Sequence, residues 1–260
     1  MGTLARIVVD TPDRGGAAAA MKAAFARIRE IEGRLSDYDE GSESRRLEHA
    51  PRGVPVPVSN DLHRVLEHAL QVSFQTEGAF DVTLGEATRA WRAGQPAAPR
   101  NRYREVTLGP GAVVLHGEAI GFDFGGIAKG YAADEALRVL RQRGFPRALV
   151  AISGDLAIGD APAGKPGWRI GLGAADRVEF LAGCGVSTSG DRYQARRGGS
   201  HILDARAGEP RPARPGSVTV IARSAMEADA LATAIHVMGK EQAEKRLLPR
   251  EYVRVIFGDR

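Results

Sequence analysis

The chain has 260 residues, 26% of them charged, with a net charge of +4 and a pI near 9.4. That length buries a full core, as one domain over residues 1–260 or two closely packed lobes, and a basic balance tolerates an acidic or phosphorylated partner. One cysteine, Cys184, excludes a disulfide framework and a cysteine-rich zinc site. The opening residues MGTLARIVVDTPDRGG lack the basic flank and apolar core of a signal peptide, and no apolar run nears the ~20 residues of a membrane helix. The expectation is a cytoplasmic protein with no stable membrane insertion.

Leu4 to Val9 is apolar and β-branched and predicts a buried strand. Gly16 to Arg34 predicts an amphipathic helix with Met21, Phe25, Ile28 and Leu35 on one stripe, followed by a polar turn-forming segment, RLSDYDEGSESRRL. Val54 to Val58 suits an edge strand, because Pro55 and Pro57 donate no ladder hydrogen bonds. Ser59 or Asn60 caps a helix running to Glu77, which Gly78 closes. Ala79 to Arg92 starts strand-like and turns helical, and the Pro/Ala/Arg segment Gln95 to Arg104 is the candidate lid. Short strands are expected at Glu105 to Leu108, Ala112 to His116 and Ala119 to Phe124, then a helix ending at Gly144. The remainder is β-rich: Ala148 to Ile152, Leu156 to Ile158, Trp168 to Leu172, Val178 to Leu181, Gly185 to Thr188, His201 to Leu203 and Ser217 to Ala222. A helix over Ala225 to Met238, a short helix and a strand at Tyr252 to Phe257 complete the chain.

Chemistry concentrates at GFDFGGIAKG, Gly121 to Gly130. A Gly-Gly turn opening a helix lets a ligand approach the backbone, while the helix start turns N–H groups and positive dipole toward it. Lys129 adds a mobile cation and Asp123 precedes the turn, an arrangement suited to a phosphate or diphosphate. Such a turn also serves as a plain tight connection, and neither a Walker A loop nor G-x-G-x-x-G is present.

In the helix at Ala225, Ser224 and Glu227 form a capping box, and Asp229 and Thr233 stand at i and i+4 on one face. A carboxylate and a hydroxyl on a buried face suit Mg²⁺, which keeps waters and borrows phosphate oxygens. The same two side chains can instead bond nearby backbone, and spacing alone leaves the choice open. His201 is a candidate general base near neutral pH or a structural histidine. The arginine-rich run Arg192 to Arg214 lacks interleaved aromatics beyond Tyr193 and reads as a solvated loop, so no nucleic-acid partner is expected.

Several segments, in order, resemble the ApbE family, flavin transferases that move FMN from FAD onto a target protein. They are MGT at Met1, LSDYDEGSESRRL at Leu35, GAFDVTLG at Gly78, DFGGIAKGYAAD at Asp123, SGD at Ser153, STSGD at Ser187, HILD at His201 and EADALATA at Glu227. The resemblance implies an α+β, T-fold-like architecture of mixed β-sheets flanked by helices, with the flavin in a cleft between two lobes. It implies FAD as substrate and Mg²⁺ held by Asp229, Thr233 and a backbone oxygen at Gly126. Residues matching the family's flavin and nucleotide contacts are Met1, Tyr38, Ala79, Phe80, Asp81, Asp123, Lys129 and Leu203.

By the same resemblance, a Ser or Thr hydroxyl of an acceptor protein attacks the FMN-side phosphorus and AMP leaves. His201 takes the proton, with Asp229 as the catalytic metal ligand. The chain departs from the family where N-A-G-G-D becomes Ala151-Ile152-Ser153-Gly154-Asp155 and D-P-x-T-G becomes Asp204-Ala205-Arg206-Ala207-Gly208. It is also short between Trp91 and Val106. An FAD diphosphatase giving FMN and AMP, and a non-catalytic FAD-binding protein, are the alternatives.

Overall fold

In the computed structural model, residues 3–96, 98–172, 177–190, 202–204, 206–207 and 216–258 are described. From the N-terminus these form β1 (Ala5–Val9), α1 (Arg14–Leu35), α2 (Glu43–Glu48), β2 (Val56–Pro57), α3 (Asn60–Gln75) and α4 (Gly85–Arg92). A 3₁₀ turn at Tyr103–Glu105, β3 (Val106–Gly109), β4 (Ala112–Leu115) and α5 (Ala128–Gln142) follow. Next come β5 (Ala148–Ile152), β6 (Asp155–Ile158), β7 (Trp168–Leu172), β8 (Arg177–Leu181), β9 (Cys184–Gly190) and β10 (Ser217–Ala222). The chain closes with α6 (Ala225–Met238), α7 (Lys240–Arg246) and β11 (Arg254–Gly258).

The main sheet has the order β1-β5-β6-β9-β10-β11, all pairs antiparallel. Its two faces are separated by the period-2 alternation of β10. Val218, Val220 and Ala222 join the core of α6, while Ile221 packs on the other face with Ile170, Leu172 and Leu181 of the β7–β8 hairpin. A larger core gathers α1, α3, α5 and β5 around Ile31, Leu62, Leu66, Leu140 and Val150. A small sheet in the order β2-β4-β3 puts the proline-flanked β2 at its edge, as Pro55 and Pro57 require. Among the described residues no helix is long and apolar enough to cross a membrane.

Helices α5 and α6 lie side by side because Gly130 has no side chain. A Cβ there would stand 2.2 Å from the Ala225 carbonyl oxygen. The Asp134 carboxylate, one turn further along α5, accepts the N–H groups of Ala225 and Met226. Ser224 caps α6 in the expected way, its hydroxyl accepting from the Glu227 N–H at 3.1 Å.

The structure corrects several expectations. Residues 119–124 are not a strand. They make a single bridge, Gly121 with Leu84, and the Phe122 N–H donates at 2.7 Å to the buried carboxylate of Glu48, which takes the place of a ladder partner. Residues 79–83 are a turn, because the Asp81 carboxylate accepts both the N–H and the hydroxyl of Thr83. The polar segment after α1 contains α2, with Ser42 as its N-cap. Ile202 and Leu203 lie outside any strand, and His201 lies outside the described residues. No described residue of the Gln95 to Arg104 segment, the candidate lid, lines the cleft. Its end is pinned where the Arg102 N–H meets Asp81 and Thr83.

Candidate active site

A cleft of about 790 Å³ opens where the glycine turn before α5 meets α6, the β5–β6 turn and the end of β9. Asp123 fixes the glycine turn. One carboxylate oxygen accepts the Gly125 N–H at 2.8 Å and the other accepts the Thr88 hydroxyl of α4 at 2.8 Å. Thr233 then fills the space a side chain at Gly126 would occupy, its Oγ1 standing 2.8 Å from that Cβ position. Only glycine lets the turn seat against α6 in this way. The Thr233 hydroxyl also meets the Ser189 hydroxyl at 3.2 Å rather than bonding back into its own helix.

Lys129 projects from the first turn of α5 into a nest of oxygens. Its ammonium donates to the Gly125 carbonyl and lies 3.3 Å from Asp155 Oδ2 and 3.4 Å from Asp229 Oδ2. Asp229 is buried at 2% exposure and also accepts the Gly130 N–H at 3.1 Å. Burial, then the charge of Asp155, pushes the Asp229 carboxyl up to about 7, although Lys129 and the Gly130 N–H favour its charged form. Burial works against the Lys129 charge, but the two carboxylates outweigh it and raise its pKa. Asp155 is aimed by the Ser187 hydroxyl, which donates to its other oxygen.

This arrangement fits a hard divalent cation. The pocket already surrounds one cation, the Lys129 ammonium, with a carbonyl and two carboxylate oxygens, and the Thr233 hydroxyl is on the adjoining face. Among the described residues no group of three His, Cys, Asp or Glu side chains gathers to hold a metal. A mixed site of carboxylate, hydroxyl and carbonyl with open positions suits Mg²⁺ and a phosphate-bearing ligand better than zinc.

Other expected residues fall around the same cleft. Tyr38, Ala79, Phe80, Asp81, Asp123, Lys129 and Leu203 all line it. Phe80 packs beside Gly126, and Leu203 packs with Leu84. Asp81 accepts the N–H and hydroxyl of Thr83 and the N–H of Arg102, and burial pushes its carboxyl up to about 6. Met1 and His201 lie outside the described residues. Sequence spacing did not single out Asp155 as part of the cation pocket, although SGD at Ser153 carries it. It also gave no sign of Asp37 and Arg92, which line the cleft as an ion pair. Burial and the charge of Asp123 hold the Asp37 carboxyl above its usual range, against the effect of Arg92.

Comparison with known proteins places these features in context. The profile of the ApbE family matches residues 1–257. A protein of Klebsiella pneumoniae (strain 342) named FAD:protein FMN transferase is 31% identical over 275 residues, covering 94% of this chain and 78% of its own length. One of the same name from Treponema pallidum (strain Nichols) is 30% identical over 282 residues, with the same 94% and 78% coverage. Among solved structures, the flavin transferase ApbE from Vibrio cholerae superposes with a TM-score of 0.82 at 26% identity, over 99% of this chain and 90% of its own. The apo form of Pseudomonas stutzeri flavinyl transferase ApbE gives 0.84 at 28% identity, over 100% and 90%.

Proposed function

The chain belongs to the ApbE family of flavin-transferring enzymes, and on that premise we propose that it moves FMN from FAD to a Ser or Thr hydroxyl of an acceptor protein, releasing AMP with Mg²⁺ present. The observation that carries this is the meeting of the glycine turn, Lys129, Asp155, Asp229 and Thr233 around a single cation position.

Asp229, Thr233 and a backbone oxygen of the glycine turn would hold the metal. Gly125 supplies the carbonyl now bonded to Lys129, and Gly126 is the neighbouring candidate. When bound, Mg²⁺ neutralises diphosphate charge and stabilises more of it as the leaving group departs. The chain's own part is to bind and orient. Asp123 locks the turn so that the start of α5 faces the diphosphate. Lys129 supplies a positive charge that the Asp155 and Asp229 carboxylates keep protonated against the effect of burial.

In the reaction, the acceptor oxygen bonds to the FMN-side phosphorus in line with the bond to the bridging oxygen. That bond breaks, and AMP leaves with the bridging oxygen. His201 is the residue assigned to the acceptor proton. The test is to incubate the protein with FAD, Mg²⁺ and a candidate acceptor protein. Mass spectrometry should find FMN on an acceptor Ser or Thr, and chromatography an equal amount of AMP. FMN and AMP both free in solution, with the acceptor unmodified, would show hydrolysis instead.

A further inference from the structure

Arg92, the last residue of α4, is held by two groups far from it in sequence. Its guanidinium donates to the Asp37 carboxylate, 55 positions earlier, and its Cζ lies 4.3 Å from the centroid of the Tyr38 ring. That distance is well inside the ~6 Å reach of a cation–π contact. The Asp37 side chain is only 10% exposed, whereas Tyr38 is 71% exposed, and both line the cleft. The segment carrying them is anchored at its base. The Ser42 and Ser44 hydroxyls donate to the Ser36 carbonyl at 2.6 and 3.4 Å, and the Tyr38 N–H donates to the Ser36 hydroxyl at 3.3 Å.

An aromatic ring this exposed gains little from burial, so something else must fix its orientation. Here a guanidinium, itself oriented by a nearly buried carboxylate, covers part of the ring and ties the loop after α1 to α4. Resting on the flavin reading above, we propose that Arg92 is a positioning residue for substrate. Locked by Asp37, it presents the Tyr38 ring as a platform on which a planar ring of FAD, isoalloxazine or adenine, stacks at the cleft mouth. The contact is specific to ring and cation, so it bears on the choice of substrate rather than on the phosphoryl chemistry.

The test titrates FMN and ADP separately into wild type, R92M, Y38L and the double variant, with thermal melting run on each. The ring that stacks on Tyr38 should bind R92M about fivefold more weakly, and the other half of the dinucleotide should change less than twofold. In the Y38L background the Arg92 substitution should have no further effect, a coupling that a purely structural role would not produce. For the transfer reaction, KM for FAD should rise in R92M by more than kcat falls, and R92K should recover part of the loss. Equal weakening of FMN and ADP, or an Arg92 effect of the same size with and without Tyr38, would overturn the proposal. If R92M does not fold, R92K in both Tyr38 backgrounds completes the same cycle. A wild type that binds neither half refutes the flavin reading itself, whereas normal binding and transfer with no Arg92–Tyr38 coupling refutes only this inference.

Discussion

Asp134 of α5 caps α6 from outside, its carboxylate accepting the N–H of Ala225 at 2.9 Å and that of Met226 at the same distance. The last residue of the DFGGIAKGYAAD segment therefore fixes where the helix bearing Asp229 and Thr233 begins. D134A should cost about 2 kcal/mol or more, since it removes a cap and leaves two amide N–H groups short of partners. Urea denaturation would measure this, and the same variant should bind Mg²⁺ less tightly because the start of α6 is no longer fixed.

The same carboxylate gives a pH signature. Burial, opposed by the Met226 and Ala225 N–H groups, pushes Asp134 up to about 6 from an ordinary 3.8. Between those values the folded chain holds a proton that the unfolded chain has released, so this group's contribution falls as pH rises from about 4 to about 6 and is flat above. The stability difference between wild type and D134N should shrink over that window by up to about 3 kcal/mol. A difference that stayed constant from pH 4 to 7 would contradict the assignment.

Ser153 sits at φ 60°, in the left-handed region, where the family pattern has glycine. A side chain there costs about 1 kcal/mol, so S153G should stabilise the chain by roughly that amount. Because the turn positions Asp155 beside Lys129, a gain in melting temperature with unchanged Mg²⁺ affinity is the expected result.

Lys129 separates the Asp155 and Asp229 carboxylates. K129M should destabilise the metal-free protein by about 3 kcal/mol, the order expected when one partner of a buried ion pair is removed. Added Mg²⁺ should then raise the melting temperature of K129M by more than it raises that of wild type. Equal shifts would show that the ammonium and the metal do not share a position.

Much of this was legible in the sequence where local rules govern. The β-rich run after Gly144 gave strands at Ala148–Ile152 and Ser217–Ala222 with those bounds, and the capping box at Ser224 fixed the start of α6. The i, i+4 spacing put Asp229 and Thr233 on one face, and both line the cleft. Local patterns misled where a side chain replaced a backbone partner, as the distant Glu48 does for Phe122 and the neighbouring Asp81 does for Thr83. The pairing of Asp37 with Arg92, and of Asp155 with Lys129, spans separate elements, and no periodicity within one segment encodes it.

The proposed reaction requires the glycine turn and α6 together to hold one divalent cation against the FAD diphosphate. Calorimetric titration of Mg²⁺ into the FAD-bound protein, wild type against D229N, tests it most directly. Wild type should show a single site that D229N weakens by at least about a hundredfold, with FMN transfer lost in parallel. Mg²⁺ binding of equal affinity in both proteins would contradict it.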